Sequence, residues 1–121
     1  MLAIKCRSTK QYAGELSGGN EQKVCLAKAF TLKPKLLIVS EPTRGIDIGA
    51  KKLVLDTIRK FNRDEGGTVI MISSEREELR LICDRIAIIS EGRASGIVSP
   101  ASPAEEIGIL ISGIPLQAVS P

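Results

Sequence analysis

Two short apolar runs, Leu36-Leu37-Ile38-Val39 and Thr68-Val69-Ile70-Met71-Ile72, flank a stretch with helical spacing, and this alternation restricts the fold more than any other feature of the chain. Each run has strand length, is free of Pro, and closes in polar residues: Ser40-Glu41 after the first and Ser73-Ser74 after the second. Between them, Leu53, Val54, Ile58 and Phe61 recur near the helical period of about 3.6 from Gly49 to Asp64, with Lys and Arg on the other side. A run that is apolar throughout, like Leu36 to Val39, reads as a strand buried on both faces of a parallel sheet. Strand, helix, strand then demands a right-handed crossover, and the expected class is α/β.

The remaining segments extend the pattern. Gly18 to about Thr31 reads as a helix with Val24, Leu26, Ala27 and Phe30 on its apolar side, ended by Lys33-Pro34. An acidic short helix, Glu75 to Ile82, follows the second strand. Arg85 to Ile89 reads as a third strand, Glu91-Gly92 as a hairpin turn, and Ala94 to Val98 as a short edge strand. Ser102-Pro103-Ala104-Glu105 has a cap residue, Pro at the first helical position and Glu behind it, so a helix to about Ser112 is expected. Residues 100–121 form a C-terminal helix and tail on this reading, and Met1 to Gly14 a lead-in segment without clear period.

Composition removes several classes of chemistry. The 121 residues are 43% hydrophobic and 26% charged, ordinary for one soluble domain or part of one. With no histidine, a His-based triad and the common His-containing metal sites are excluded, so acid–base work falls to carboxylates and no metal ligand set is expected. Cys6, Cys25 and Cys83 are too scattered for a disulfide framework or a paired-cysteine metal site, which fits a reducing cytosol. Aromatic residues make up only 2%, leaving no rings to stack on single-stranded nucleic acid, and the net charge of +3 is spread along the chain. No apolar run approaches the roughly 18 residues of a membrane span.

Two motifs carry candidate chemistry. In Leu16-Ser17-Gly18-Gly19-Asn20-Glu21-Gln22-Lys23, Ser17 can cap a helix while Gly18 and Gly19 let a ligand approach the backbone. The unpaired amides and positive dipole end of such a helix suit a phosphate. The second motif, Ser40-Glu41-Pro42-Thr43, stands at the carboxyl end of the first strand, where open parallel sheets bind ligands, so Glu41 is the candidate base. Leu-Ser-Gly-Gly and Glu-Pro-Thr together specify seven residues with 24 positions from Ser17 to Glu41; at residue frequencies of roughly 5 to 10%, that combination is very improbable by chance.

On these residues the chain resembles the ATP-binding cassette (ABC) ATPases, in which Leu-Ser-Gly-Gly-x-x-Gln is the signature motif and an apolar strand ending in Asp-Glu is the Walker B motif. The likeness continues through Arg44-Gly45-Ile46-Asp47, at the position of the D-loop, and through Asp84-Arg85-Ile86. A finer resemblance, carried by residues 16–23, by Glu41 through Lys51 and by Ser73-Ser74-Glu75, is to the second cassette of tandem ATPases of bacterial simple-sugar and nucleoside importers. It implies a partial P-loop NTPase fold, mainly a parallel sheet with flanking helices, spanning the C-terminal portion of one nucleotide-binding domain. Ser17, Gly18, Gly19 and Gln22 would then serve, in trans, the γ-phosphate of an ATP held by the opposite cassette. Glu41 would polarise the attacking water, and Asp47 would touch the partner's phosphate loop.

Three departures from the family pattern shape the expectation. No Gly-x-x-x-x-Gly-Lys-Ser/Thr phosphate loop is present. Ser40 stands at the Walker B Asp position, and Ser74 where most cassettes carry the switch His. The resemblance therefore implies a weak or inactive own site beside an intact signature face, with ATP and Mg²⁺ used by the full-length protein and neither held tightly by this chain. Implied partners are a second cassette, a membrane permease and a solute-binding protein, with no nucleic acid, at the cytoplasmic face of the membrane; self-association of the fragment is also expected. The alternative is a soluble ABC protein of the ribosome or DNA, or an inactive truncated cassette serving as an interaction module.

Overall fold

Strands β1 (Leu36–Ser40) and β2 (Thr68–Ile72) pair in parallel and in register, from Leu36 opposite Thr68 to Ser40 opposite Ile72. The computed structural model describes residues 18–113, with side chains from Lys23 onward. Expectations placed on Met1 to Gly14, Cys6, Ser17 and the tail beyond Gly113 lie outside the described residues. The described chain runs helix, strand, helix, strand in a first unit, Met1–Ser74, and helix, hairpin, helix in a second, Glu75–Pro121.

In the first unit, α1 (Gly18–Thr31) ends before Pro34, and α2 (Ile48–Arg63) supplies the crossover between the two strands. Val54, Leu55, Ile58 and Phe61 of α2 are buried, as are Leu37 and Val39 of β1 and Leu26 of α1. The rings of Phe30 and Phe61 join the two helices with centroids 5.5 Å apart, a tilted arrangement suited to the ring quadrupoles. At the entry to β2 the chain is held by three contacts. The Gly67 amide donates to the Phe61 carbonyl at 3.1 Å, Asn62 Nδ2 donates to the Gly67 carbonyl at 2.8 Å, and the Thr68 amide donates to the Lys35 carbonyl at 2.9 Å.

One expectation is corrected. β1 is not buried on both faces: Leu37 and Val39 are covered, whereas Leu36 and Ile38 are exposed, Ile38 at 60%. The in-register pairing places Ile70 and Ile72 beside them, and both are about half exposed. The sheet is thus packed on a single side, α2 lying against β2, and among the described residues no layer lies over the other.

In the second unit, α3 (Arg76–Ile82) precedes the antiparallel hairpin of β3 (Ile86–Ser90) and β4 (Arg93–Val98), turned at Glu91 and Gly92, both with positive φ. Helix α4 (Ala104–Ile111) covers one face of the hairpin, so that Ile86, Ile88, Val98, Ile107 and Leu110 form a core with Leu79 and Cys83 at its margin. Burial pushes the Cys83 thiol up, with Asp84 adding to the effect; Cys83 and Cys25 are both free. Arg80 Nη2 donates to the Ser102 carbonyl at 2.9 Å, and Ser90 Oγ to the Ile111 carbonyl at 2.8 Å.

A second correction concerns the start of α4. The cap position belongs to Pro103 and not Ser102, and no side chain caps the helix. Ser102 belongs to the preceding turn, its amide donating to the Ser99 carbonyl at 3.0 Å, one residue before the cap position.

Gly67 generates a test of the packing in the first unit. A Cβ there would overlap three ring carbons of Phe61, and the ring, only 4% exposed, has no open side to turn into. Gly67→Ala is therefore expected to destabilise the chain by about 1–3 kcal/mol, the usual scale of overpacking, measured as a lower midpoint in urea. Gly66→Ala strains a backbone at φ +73 without any clash, so its cost is expected to be smaller.

Candidate functional site

The site lies where β1 and β2 end together. Past Ser40 the ladder gains one more bond, from the Glu41 amide to the Ile72 carbonyl at 2.7 Å. Glu41 then adopts φ +48, a left-handed conformation that costs a non-glycine residue roughly 1 kcal/mol and persists only where surrounding contacts over-determine it. Those contacts are present. Its carbonyl accepts from the Arg44 amide at 3.2 Å, Pro42 and Thr43 are buried directly after it, and its carboxylate is gripped by Ser74. The Ser74 amide donates to Oε1 at 2.9 Å, and Ser74 Oγ stands 3.4 Å from Oε2.

The loop that leaves Glu41 turns at Gly45 (φ +74) and delivers Asp47 as the N-cap of α2. Asp47 Oδ1 accepts from the Ala50 amide at 2.9 Å. This bond is the largest cause holding the Asp47 carboxyl below the usual carboxylate range. Partial desolvation opposes it, while the Gly49 amide and the charge of Lys23 add to the lowering. Lys23 belongs to α1 and is only 8% exposed, so a residue of the signature-type motif bears on Asp47 in the loop that follows the second motif.

The expected site residues fall into three groups. Glu41, Ser74 and Asp47 are brought to one end of the sheet and its following loop, and Ser40 is exposed on the face it shares with Ile72. Gly18, Gly19 and Gln22 occupy the beginning of α1, where helix amides lack intrahelical partners; their side chains, and Ser17 altogether, lie outside what is described. The third group is what sequence reasoning missed: buried Lys23, and the grip of Ser74 on Glu41. Lys23 sits within the quoted motif, but a lysine on a helix reads by default as a solvated face. Ser74 lies 33 positions from Glu41, and only the strand register joins them.

Chemically, the arrangement offers one oriented carboxylate and a loop capped at Asp47, with the first turn of α1 carrying the signature-type motif. It does not form a set for a divalent cation, because Ser40 is neutral and both oxygens of Glu41 face donors.

Comparison with known proteins follows the same outline. Residues 2–44 match the family model described as ABC transporter. The chain is 42% identical over 117 residues to the D-allose import ATP-binding protein AlsA of Escherichia coli (strain K12), covering 97% of this chain and 23% of that protein. It is 44% identical over 105 residues to the galactose/methyl galactoside import ATP-binding protein MglA of Clostridium perfringens (strain 13 / Type A), covering 87% and 20%. With the ribose import ATP-binding protein RbsA of Bacillus cereus the identity is 43% over 106 residues, covering 88% and 21%. The chain thus spans about a fifth of the length of these curated relatives. Among solved structures, the ATP-binding cassette MJ0796, in a dimeric post-hydrolysis state bound to ADP and Pi, superposes with a TM-score of 0.74 at 22% identity, over 82% of this chain and 42% of that one.

The cap at Asp47 predicts a pH dependence. Its folded-state pKa is depressed, so the stabilisation it gives α2 is present above the ordinary Asp value of about 3.9 and is lost as pH falls through the lower folded value. Asp47→Asn keeps a capping oxygen but does not titrate, so the difference in stability between wild type and this variant should shrink below about pH 4. Paired thermal melts followed by circular dichroism check this; a difference independent of pH would contradict it.

Proposed function

Starting from a chain related in sequence, over nearly its whole length, to about a fifth of the ATP-binding proteins of ABC sugar importers, we propose that it forms the C-terminal part of one nucleotide-binding domain. That domain couples ATP hydrolysis to uptake of a simple sugar or nucleoside. The observation that carries this reading is the 42% identity to the D-allose import protein across 97% of the chain.

The roles follow from the positions. Ser17 and the amides of Gly18 and Gly19, with Gln22 in the same turn of helix, meet the γ-phosphate of an ATP held by the opposite cassette. Glu41 polarises the attacking water at this cassette's own nucleotide face, which the neutral Ser40 leaves the weaker of the two sites, and Asp47 faces the partner's phosphate loop. Phosphoryl transfer is catalysed mainly by positioning and charge stabilisation, so a site completed only when two cassettes close makes hydrolysis report on closure. Mg²⁺ accompanies ATP in the complete protein, and the described residues of this chain do not form its ligand set. The partners are a second cassette, a permease at the cytoplasmic face of the membrane and a solute-binding protein. The chain has no helix, among the described residues, long and apolar enough to cross a membrane itself.

Two measurements test this reading. In the assembled transporter, Ser17→Arg should reduce hydrolysis at the partner's site by about 100-fold or more, since it puts bulk and charge where preorganised amides meet the phosphate; unchanged turnover would refute the trans assignment. The 121-residue chain alone should neither bind MgATP at micromolar concentration nor hydrolyse it, because it lacks a phosphate loop. Calorimetry showing tight, Mg²⁺-dependent binding would overturn that.

Self-association belongs to the same reading, through the apolar sheet face of Leu36, Ile38, Ile70 and Ile72. The isolated chain should form concentration-dependent oligomers in light scattering, and Ile38→Lys combined with Ile70→Glu should return it to monomer. A wild-type chain that stays monomeric at high concentration would exclude this.

A further inference from the structure

We propose that the amino end of the β1–β2 sheet is a docking surface for an anionic lipid membrane, with Leu32 as its apolar anchor and Lys28, Lys33, Lys35 and Lys60 as its charges. This end is the reverse of the one that carries Glu41. β1 and β2 start in register at Leu36 and Thr68, α1 closes at Thr31 just before them, and α2 returns towards them at Arg63. Two contacts gather the pieces: the rings of Phe30 and Phe61 lie 5.5 Å apart, and the Thr68 amide donates to the Lys35 carbonyl at 2.9 Å. All four lysines are exposed. From Gln22 to Ser40 the chain has no acidic residue, and the carboxylates of this end, Asp64 and Glu65, belong to the turn after α2.

Helix dipoles account for part of this pattern. Lys28 and Lys60 stand in last turns, where a cation is ordinarily favourable, and Arg63 already has a partner within the chain. Leu32, Lys33 and Lys35 lie beyond the helix, outside the reach of that explanation. Leu32 is 77% exposed, more than any other described leucine. Lys33 follows it at φ +46, its amide donating to the Phe30 carbonyl at 3.0 Å. Helices commonly end in glycine at such a position, because a Cβ is crowded in the left-handed region. The chain thus carries a strained lysine beside a bare leucine, where glycine and a polar residue would fold at less cost. Lysines around a single leucine match an anionic leaflet: the charges gain from the surface potential, the leucine enters the boundary between headgroups and acyl chains, and no shaped pocket is required. An acidic protein would satisfy the lysines and leave the leucine in water. Across strands of five residues, this seating holds Glu41 about 17 Å from the lysine end. The contact is independent of the nucleotide chemistry.

Co-sedimentation of the 121-residue chain with vesicles tests the surface, using phosphatidylcholine alone and an equal mixture of phosphatidylcholine and phosphatidylglycerol. Ile38→Lys with Ile70→Glu serves as the background, so that the apolar sheet face neither binds lipid nor joins copies, at no change in net charge. This chain should bind the mixed vesicles, leave the neutral ones unbound, and release as salt approaches about 1 M, where the Debye length is ~3 Å. Lys33→Gly should weaken binding roughly fivefold, the contribution of one cation at such a surface, with the thermal midpoint unchanged or raised because the left-handed position is relieved. Leu32→Ser should weaken it about 3- to 10-fold. Lys52→Gln, the same loss of charge at an exposed residue near the start of α2, should leave it unchanged. Equal effects of Lys33→Gly and Lys52→Gln would make the attraction one of net charge and overturn the site. So would binding to neutral vesicles that salt does not release, or no binding to either kind. Binding to soluble polyglutamate that Lys33→Gly weakens, with no affinity for the mixed vesicles, would assign an acidic protein and exclude the membrane.

Discussion

The parallel, in-register pairing of β1 and β2 is the constraint on which the rest of the first unit depends. Because side chains alternate across a strand, a slip of one residue would exchange the buried pair Leu37 and Val39 for Leu36 and Ile38. The same slip would carry Glu41 away from Ser74, since the two are matched only while Ser40 faces Ile72. Core and site are therefore set by one choice of register. Two local devices hold it. Asp47 starts α2 at a defined residue, and the close fit of Gly67 under the Phe61 ring returns the chain to β2 at a defined height.

Much of this was legible in the sequence where local chemistry decides. The apolar run from Thr68 to Ile72 coincides with β2, Pro34 limits α1, and Glu91-Gly92 makes the hairpin turn with positive φ at both residues. The resemblance was legible for the same reason: Leu-Ser-Gly-Gly and Glu-Pro-Thr are contiguous words that do not need the fold to be read. What could not be read depends on neighbours distant in sequence. Leu36 and Ile38 have the pattern of a strand covered on both sides, yet burial is a property of whatever packs against them. Ser102 has the composition of a helix cap, but the chain places Pro103 at the cap position. Ser74 was legible only as a missing histidine, because its partner, Glu41, is reached through strand pairing and not through spacing.

The electrostatics link the two motifs in a way neither shows alone. A lysine as buried as Lys23 is costly without compensation, and its charge falls on Asp47, which already caps α2. The charge of Lys23 is nonetheless a smaller influence on Asp47 than its bond to the Ala50 amide.

The first unit is incomplete in two ways that point the same direction. Its sheet carries Leu36, Ile38, Ile70 and Ile72 on a face that no described residue covers, although apolar runs of this kind are the signature of strands buried on both sides. Its chemistry supplies an oriented carboxylate and a helix start suited to phosphate, but no phosphate loop. A fold selected to act alone has no reason to keep an apolar face and a tensioned, clamped glutamate at φ +48, since each costs stability without return. Both make physical sense where other polypeptide supplies the remaining surface and ligand groups, and the Ser74 amide meanwhile holds the Glu41 carboxylate at the end of the sheet.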